Sequence, residues 1–320
     1  MSPSSTRRTP PSGWRPAASG TPLRIHRPPL RTEAAVEGEL RWLEALRRDT
    51  DVLVPEPVRT GAGRLLTTAT AEGVPESRIC VLFRWVDGDF REVDDLTADD
   101  LHRVGVLTAA LHDHATGFVS RNTDLCRPRI GLLTARAREE EAGGTTVQQA
   151  CSDPRHGRDA GWAAEEVAAF SPRGAAAVRR VAEATRRIRD RLGTSPAVYG
   201  LVHADLHQEN YLFGPDDVRL IDFDDCGFGH HLDDLAVTLS EITEHDDSAG
   251  LRAALLDGYR SARSLPTGAE ADLEVLVAFR FAQILLWKVS LRDHPVFRDS
   301  WREDADDLID ELEASAIDSG

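Results

Sequence analysis

One window of this sequence gathers side chains able to do chemistry: His203-Ala204-Asp205-Leu206-His207-Gln208-Glu209-Asn210, then Asp222-Phe223-Asp224-Asp225 one turn and one apolar stretch later. The spacing HxDxxxxN followed by DxD suits phosphoryl transfer. An Asp on a rigid loop can orient a hydroxyl and accept its proton. An Asn five residues on offers a neutral oxygen to Mg2+, and an Asp closing the next strand offers the anionic ligand between metal and phosphates. Few hard oxygen ligands suit Mg2+, which keeps its other positions for phosphate and water. A random chain with these 11 histidines, this Asp content and two asparagines, Asn122 and Asn210, would hold about 0.007 such matches. A β-hairpin with capping Asp and Asn is the plain alternative, but it does not explain why one of the two asparagines falls here. A metal-dependent phosphohydrolase could use the same His and Asp residues and accounts poorly for Asn210.

The flanking pattern shows how such a loop is held. Tyr199 to Val202 and Tyr211 to Phe213 read as strands bracketing the loop, and a turn at Gly214 to Asp217 leads into Val218 to Ile221. Helical pattern surrounds them. Thr97 caps a stripe of Leu101, Val104, Leu107 and Leu111; Ser171-Pro172 opens another with Val178, Val181, Thr185, Ile188 and Leu192, stopped by Gly193. Helices resume at His231 and run to about Ala316. Residues 134–170 are polar and glycine-interrupted and give no assignment. Towards the N-terminus, residues 1–22 are rich in Ser, Pro, Thr and Arg and read as a disordered leader. Leu23 to His26 reads as a strand, Thr32 caps a helix striped by Val36, Leu40, Leu43 and Leu46, and residues 64–68 and 79–86 read as strands around Gly73 and Pro75. Asp87-Gly88 is the expected hinge. The expectation is an α+β chain with a small β-rich N-lobe at 23–86 and a large α-rich C-lobe at 87–320.

Charge is unevenly spread within the net −16. Residues 1–31 hold six arginines and no acid, whereas Tyr199 to Asp247 hold thirteen acids against Arg219 alone. This acidic balance argues against nonspecific nucleic-acid binding. The nine acids from Asp299 onward read as a solvated helix face. No apolar run approaches the ~18 residues of a membrane-spanning helix. Cys80, Cys126, Cys151 and Cys226 form no CxxC pair, so neither a disulfide framework nor a zinc ribbon is expected, and the expected compartment is the cytoplasm. His112-Asp113-His114 could chelate a metal or serve as a solvated helix cap. Lys288 is the only lysine, so a site that demands one must use arginine.

Gly200 to His207 and Ile221 to Gly229 resemble the aminoglycoside phosphotransferase and choline kinase-like family, including its homoserine-kinase-type members, over roughly residues 23–290. The resemblance implies a two-lobed, protein-kinase-like fold that moves the γ-phosphate of ATP to a small-molecule hydroxyl. It makes Asp205 the catalytic base, Asn210 and Asp222 ligands of Mg2+, and Asp224 a further metal or water contact. It casts Asp234 as a brace of the catalytic loop, a position a plain helix-start residue fills equally well. Arg24 would be the phosphate-binding cation with Glu39 as its ion-pair partner; an ordinary strand–helix salt bridge reads the same. A guanidinium in place of an ammonium keeps the charge and changes the geometry. Leu82 to Val86, with Phe83 and Trp85, would carry the backbone that meets adenine, or would simply be a buried strand. Members of the family begin with two more strands and a phosphate-covering loop, so this N-lobe is expected to lack its first strands. The expected activity is that of an ATP- and Mg2+-dependent kinase; the alternative is a catalytically weak, pseudokinase-like nucleotide-binding protein with a regulatory role. The expected partner is a small-molecule alcohol, with no nucleic acid and no membrane. Glu241, Glu244, Asp246 and Asp247 extend the acidic field and favour a cationic acceptor, such as an amino alcohol, amino acid or amino sugar.

Overall fold

In the computed structural model, which describes residues 14–16, 20–26, 32–131 and 159–315, the N-terminal lobe is a four-stranded antiparallel sheet carrying one helix. The strand order is β1 (Trp14–Pro16), β2 (Pro22–Ile25), β4 (Arg78–Leu82), β3 (Thr67–Ala69). Helix α1 (Glu33–Asp49) starts where the Thr32 hydroxyl accepts the Ala35 N–H, and it buries Val36, Leu40, Leu43 and Leu46 as the stripe requires.

The leader expected at 1–22 is corrected in part. Trp14–Pro16 pairs antiparallel with β2, Trp14 opposite Arg24 and Pro16 opposite Pro22. Three residues ending in proline show no alternation to read. The pairing is made by backbone groups that cover the free edge of β2. Residues 1–13 and 17–19 lie outside the described residues.

The second lobe is helical: α2 (Ala98–Arg121), α3 (Asp159–Ala168), α4 (Pro172–Leu192), α5 (His231–Glu241), α6 (Ser248–Ala262), α7 (Ala269–Ser290) and α8 (Trp301–Ala314). Thr97 and Asp100 close a capping box on α2, Ser171 caps α4 ahead of Pro172, and Gly193 ends α4 at φ +69°. Residues 132–158, which hold most of the stretch that gives no assignment from sequence, lie outside the described residues. Two short ribbons are set among the helices: β5 (Tyr199–Val202) with β8 (Gly227–His230), and β6 (Tyr211–Phe213) with β7 (Val218–Leu220). One core runs from α1 through these ribbons to α7, and a second joins α3, α4, α7 and α8.

Two close approaches fix the site's frame. The expected hinge is pinned: Asp89 and Phe213 exchange backbone hydrogen bonds of 3.0 and 2.9 Å, and Gly88, at φ +138°, leaves no room for a Cβ beside Leu212. Helices α2 and α6 cross backbone to backbone, since a Cβ on Gly105 would sit 2.1 Å from the Leu255 carbonyl oxygen and one on Gly258 2.0 Å from that of His102. Cys80 and Cys226 are free thiols, whereas Cys126 is disulfide-bonded. No helix among the described residues is long and apolar enough to cross a membrane.

Candidate active site

Strand β5 is apolar and ends buried at Val202; His203 and Ala204 stay buried, and the chain first becomes partly exposed at Asp205. Asp234 and Thr238, one turn apart on the same face of α5, hold the loop that begins at His203. The fully buried Asp234 carboxylate accepts the backbone N–H of His203 at 2.9 Å and of Ala204 at 2.7 Å. Thr238 donates to the Leu206 carbonyl at 2.9 Å. The two N–H groups converge on one carboxylate at a turn where Ala204 takes φ +69°, a left-handed conformation that costs a non-glycine residue ~1–2 kcal/mol. Burial pushes the Asp234 pKa up to about 6, opposed by His203 and the two N–H donors. The His203 ring bonds the Ile221 carbonyl at 3.0 Å, which ties this loop to the residue before Asp222.

Asp205 comes next, on the strained turn. Its Oδ1 accepts Arg280 Nη2 at 2.6 Å; its Oδ2 faces His207 Nε2 and Asn210 Nδ2, each at 3.3 Å. Burial pushes this carboxyl up, but Arg280 and His207 outweigh burial and hold it far below the usual carboxylate range. Asp205 is therefore ionised and fixed in one orientation.

Asp222 stands across from it in the left-handed region, φ +60°. Arg24 Nη1 lies 3.6 Å from Asp222 Oδ1, and Arg24 Nη2 donates to buried Glu39, so the expected cation and its partner do meet and face the DxD turn. Phe83 is buried under the Arg24 guanidinium, 5.0 Å from its ring centre, and its N–H is bonded to the Pro22 carbonyl. Its backbone donor thus belongs to the sheet. Trp85, by contrast, is 62% exposed where the chain leaves the sheet. Asp224 lies 3.5 Å from His26, and its carbonyl accepts Arg127.

The residues fit a divalent cation. Asn210 spends its Nδ2 on the Asp205 carbonyl, at 2.8 Å, while its buried Oδ1 has no hydrogen-bond partner. A buried acceptor without a donor costs ~1–3 kcal/mol, and a cation would satisfy it. Burial pushes Asp222 up to about 7; Arg24 opposes, and Asp224, Asp225 and Asp205 add to the rise. Such crowded carboxylates gain from a cation. Among the described residues no three His, Cys, Asp or Glu side chains converge as a metal cage, so an ion here would take few protein ligands and keep positions open.

Several functional residues escape the sequence reading. Arg280 reaches Asp205 from α7, where a lone arginine between Phe279 and Phe281 was the signal. Arg127, buried, bonds the carbonyls of Ala35, Asp224 and Cys226 at 2.7–2.8 Å and so ties α1 to the DxD turn. His112 is neither chelator nor solvated cap: it is fully buried against Asp234. His114 accepts the Trp42 indole N–H at 3.3 Å.

This fold and site are those of a phosphotransferase. The phosphotransferase enzyme family is matched over residues 18–274, and the chain belongs to it. It is 31% identical to a microcompartment-associated aminopropanol kinase, with a TM-score of 0.65 over 92% of this chain and 83% of that one. An amicoumacin kinase in complex with AMP-PNP, Ca2+ and Ami shares the fold at 17% identity, with a TM-score of 0.69 over 93% of this chain and 84% of that one. A choline/ethanolamine kinase family protein from Mesorhizobium loti does so at 16% and 0.55, over 93% and 83%. An uncharacterized protein of Synechocystis sp. is 26% identical over 275 residues, 84% of this chain and 67% of that protein. The chain is thus a two-lobed phosphotransferase.

Proposed function

We propose that this protein uses ATP and Mg2+ to phosphorylate the hydroxyl of a small amino alcohol. The observation that carries the reading is the buried, unpartnered Asn210 Oδ1 between an ionised Asp205 and the crowded Asp222. Asp205 orients the acceptor hydroxyl and takes its proton as the new O–P bond forms and the bond to the ADP leaving oxygen breaks. Asn210 and Asp222, with Asp224 beside them, would hold Mg2+, which when bound neutralises phosphate charge. Arg24, aligned by Glu39, offers a planar fork to the phosphates. Residues 23–86 form the nucleotide-binding lobe, with Trp85 near adenine, and residues 87–320 hold the base and the acceptor.

A cationic acceptor is supported by Glu241. Burial pushes its pKa up, His207 and Arg280 oppose that, and its carboxylate carries no hydrogen bond among the described residues. An ammonium would pair with it. The 31%-identical aminopropanol kinase makes amino alcohols the first compounds to try. ADP release, measured with a panel of amino alcohols and their neutral analogues, tests the proposal. Turnover should require Mg2+, prefer the amines and vanish in Asp205→Ala. Equal turnover in Asp205→Ala would sink the mechanism, and equal rates for neutral analogues would sink the acceptor class.

A further inference from the structure

Asp234 would be an ordinary helix-start carboxylate were it not for what stands behind it. His112 Nε2, on α2, lies 3.0 Å from Asp234 Oδ2, and His112 Nδ1 lies 3.0 Å from the Tyr259 hydroxyl on α6. The pair of contacts selects one neutral tautomer. Asp234 already accepts two backbone N–H groups, so Nε2 carries the imidazole hydrogen and donates it, and Nδ1 accepts the Tyr259 O–H. Burial keeps the ring neutral against two opposing carboxylates. Burial pushes its pKa down to about 3, and Arg263 adds to the drop while Asp113 and Asp233 oppose it. The His231 ring is stacked on it, centres 4.5 Å apart and planes 18° apart.

Both ends of this line are stiff. At one end, α2 and α6 cross through Gly105 and Gly258 with no space for a Cβ, which fixes the distance between the helices that carry His112 and Tyr259. At the other, Ala204 is held left-handed, a state that persists only where its surroundings impose it. Asp234 is the group that imposes it, and a carboxylate lacking its third donor could turn away from the loop.

We propose that His112, set by Tyr259, is a positioning residue for phosphoryl transfer: it locks Asp234 and so keeps the strained Ala204 turn that aims Asp205. The catalytic part rests on the reading of Asp205 as the base; the structural part does not.

The experiment compares His112→Phe, His112→Gln and Tyr259→Phe in the full chain. Its readouts are kcat, the KM for ATP, and hydrogen exchange in the peptide spanning residues 199–210. Phe keeps a ring against His231 and loses the donor, whereas the Gln Nε2–H can stand where the imidazole Nε2–H stood. His112→Phe should lower kcat at least tenfold, leave the KM for ATP within twofold, and speed exchange at His203 and Ala204 at least tenfold. His112→Gln should recover most of both effects. Tyr259→Phe, which removes one O–H and adds no volume, should show a smaller rise in exchange in the same peptide, and it decides the matter if His112→Phe does not fold. Wild-type exchange in Tyr259→Phe and His112→Phe, or equal losses in Phe and Gln, would overturn the proposal. Exchange needs no turnover, so a protein that phosphorylates none of the alcohols tried would refute the activity while leaving this inference to be judged on its own.

Discussion

Arg24 has two acidic neighbours of different character. Glu39 is fully buried and its Oε2 has no partner, so Arg24 alone compensates its charge among the contacts observed, while Asp222 is reached by the other arm of the guanidinium. Arg24→Met should therefore cost about 3–5 kcal/mol of folding stability in urea melts, because it leaves a buried carboxylate uncompensated. Arg24→Lys keeps the charge but not the fork. It should fold nearly as well as the wild type and raise the KM for ATP, since one ammonium cannot span both acids. Arg280 works on the reacting side: it fixes Asp205 Oδ1 at 2.6 Å. Arg280→Ala should lower kcat about 10²-fold by freeing the carboxylate to rotate, and should also lower the thermal midpoint, because it takes away the cation that holds the Asp205 carboxyl low. A kcat within twofold of wild type would show that Asp205 is aimed by Asn210 and His207 alone.

Elements meet here through absences of side chains as much as through their presence. Gly105→Ala and Gly258→Ala each force a methyl into backbone at 2.0–2.1 Å, and each should destabilise by at least ~1–3 kcal/mol in urea melts. Gly61→Ala, which meets nothing within 4 Å, should change stability by less than ~0.5 kcal/mol. The same contrast explains what could be read from the chain. Thr32, Thr97, Ser171 and Gly193 were legible because a cap is decided within four residues. The HxDxxxxN loop and the DxD turn were legible because their chemistry is contiguous. Arg280 and Tyr259 were not, nor was the burial of His112 against Asp234, since each lies on a helix whose partner is set only by packing. β8 and β1 were missed for a related reason: Gly227–His230 alternates glycine with bulk and Trp14–Pro16 spans three residues, so neither carries a hydrophobic period.

At the scale of the whole molecule, acid sensitivity comes from which ionisable groups the fold buries. Burial pushes His112 down to about 3 and His231 to about 2, and it also lowers His114, His203 and His230. A histidine lowered by folding contributes stability that is complete above about pH 6.5 and is lost as pH falls towards its folded value. Three carboxylates and His207 act in the opposite sense: burial raises Glu241 as well as Asp222 and Asp234, and, against burial, Asp205 raises His207. Asp222 and Asp234, raised by burial to about 7 and about 6, favour the folded state at low pH and lose that advantage as pH rises through those values. Between pH 7 and 5 the unfolded chain therefore takes up protons on His112 and His231 that the folded chain refuses, while Asp222 and Asp234 take up protons in the folded chain that the unfolded chain does not. Each such group changes the slope of the unfolding free energy against pH by about 1.4 kcal/mol per pH unit, the histidines making stability rise with pH and the acids making it fall. Urea melts at pH 7, 6 and 5 measure it. His231→Phe removes one of the protected histidines and keeps a ring against His112, so its slope should be shallower than that of the wild type. A slope unchanged in His231→Phe would show that His231 takes no part in the acid sensitivity; Asp205, whose carboxyl Arg280 and His207 hold low against burial, loses its contribution only below about pH 5.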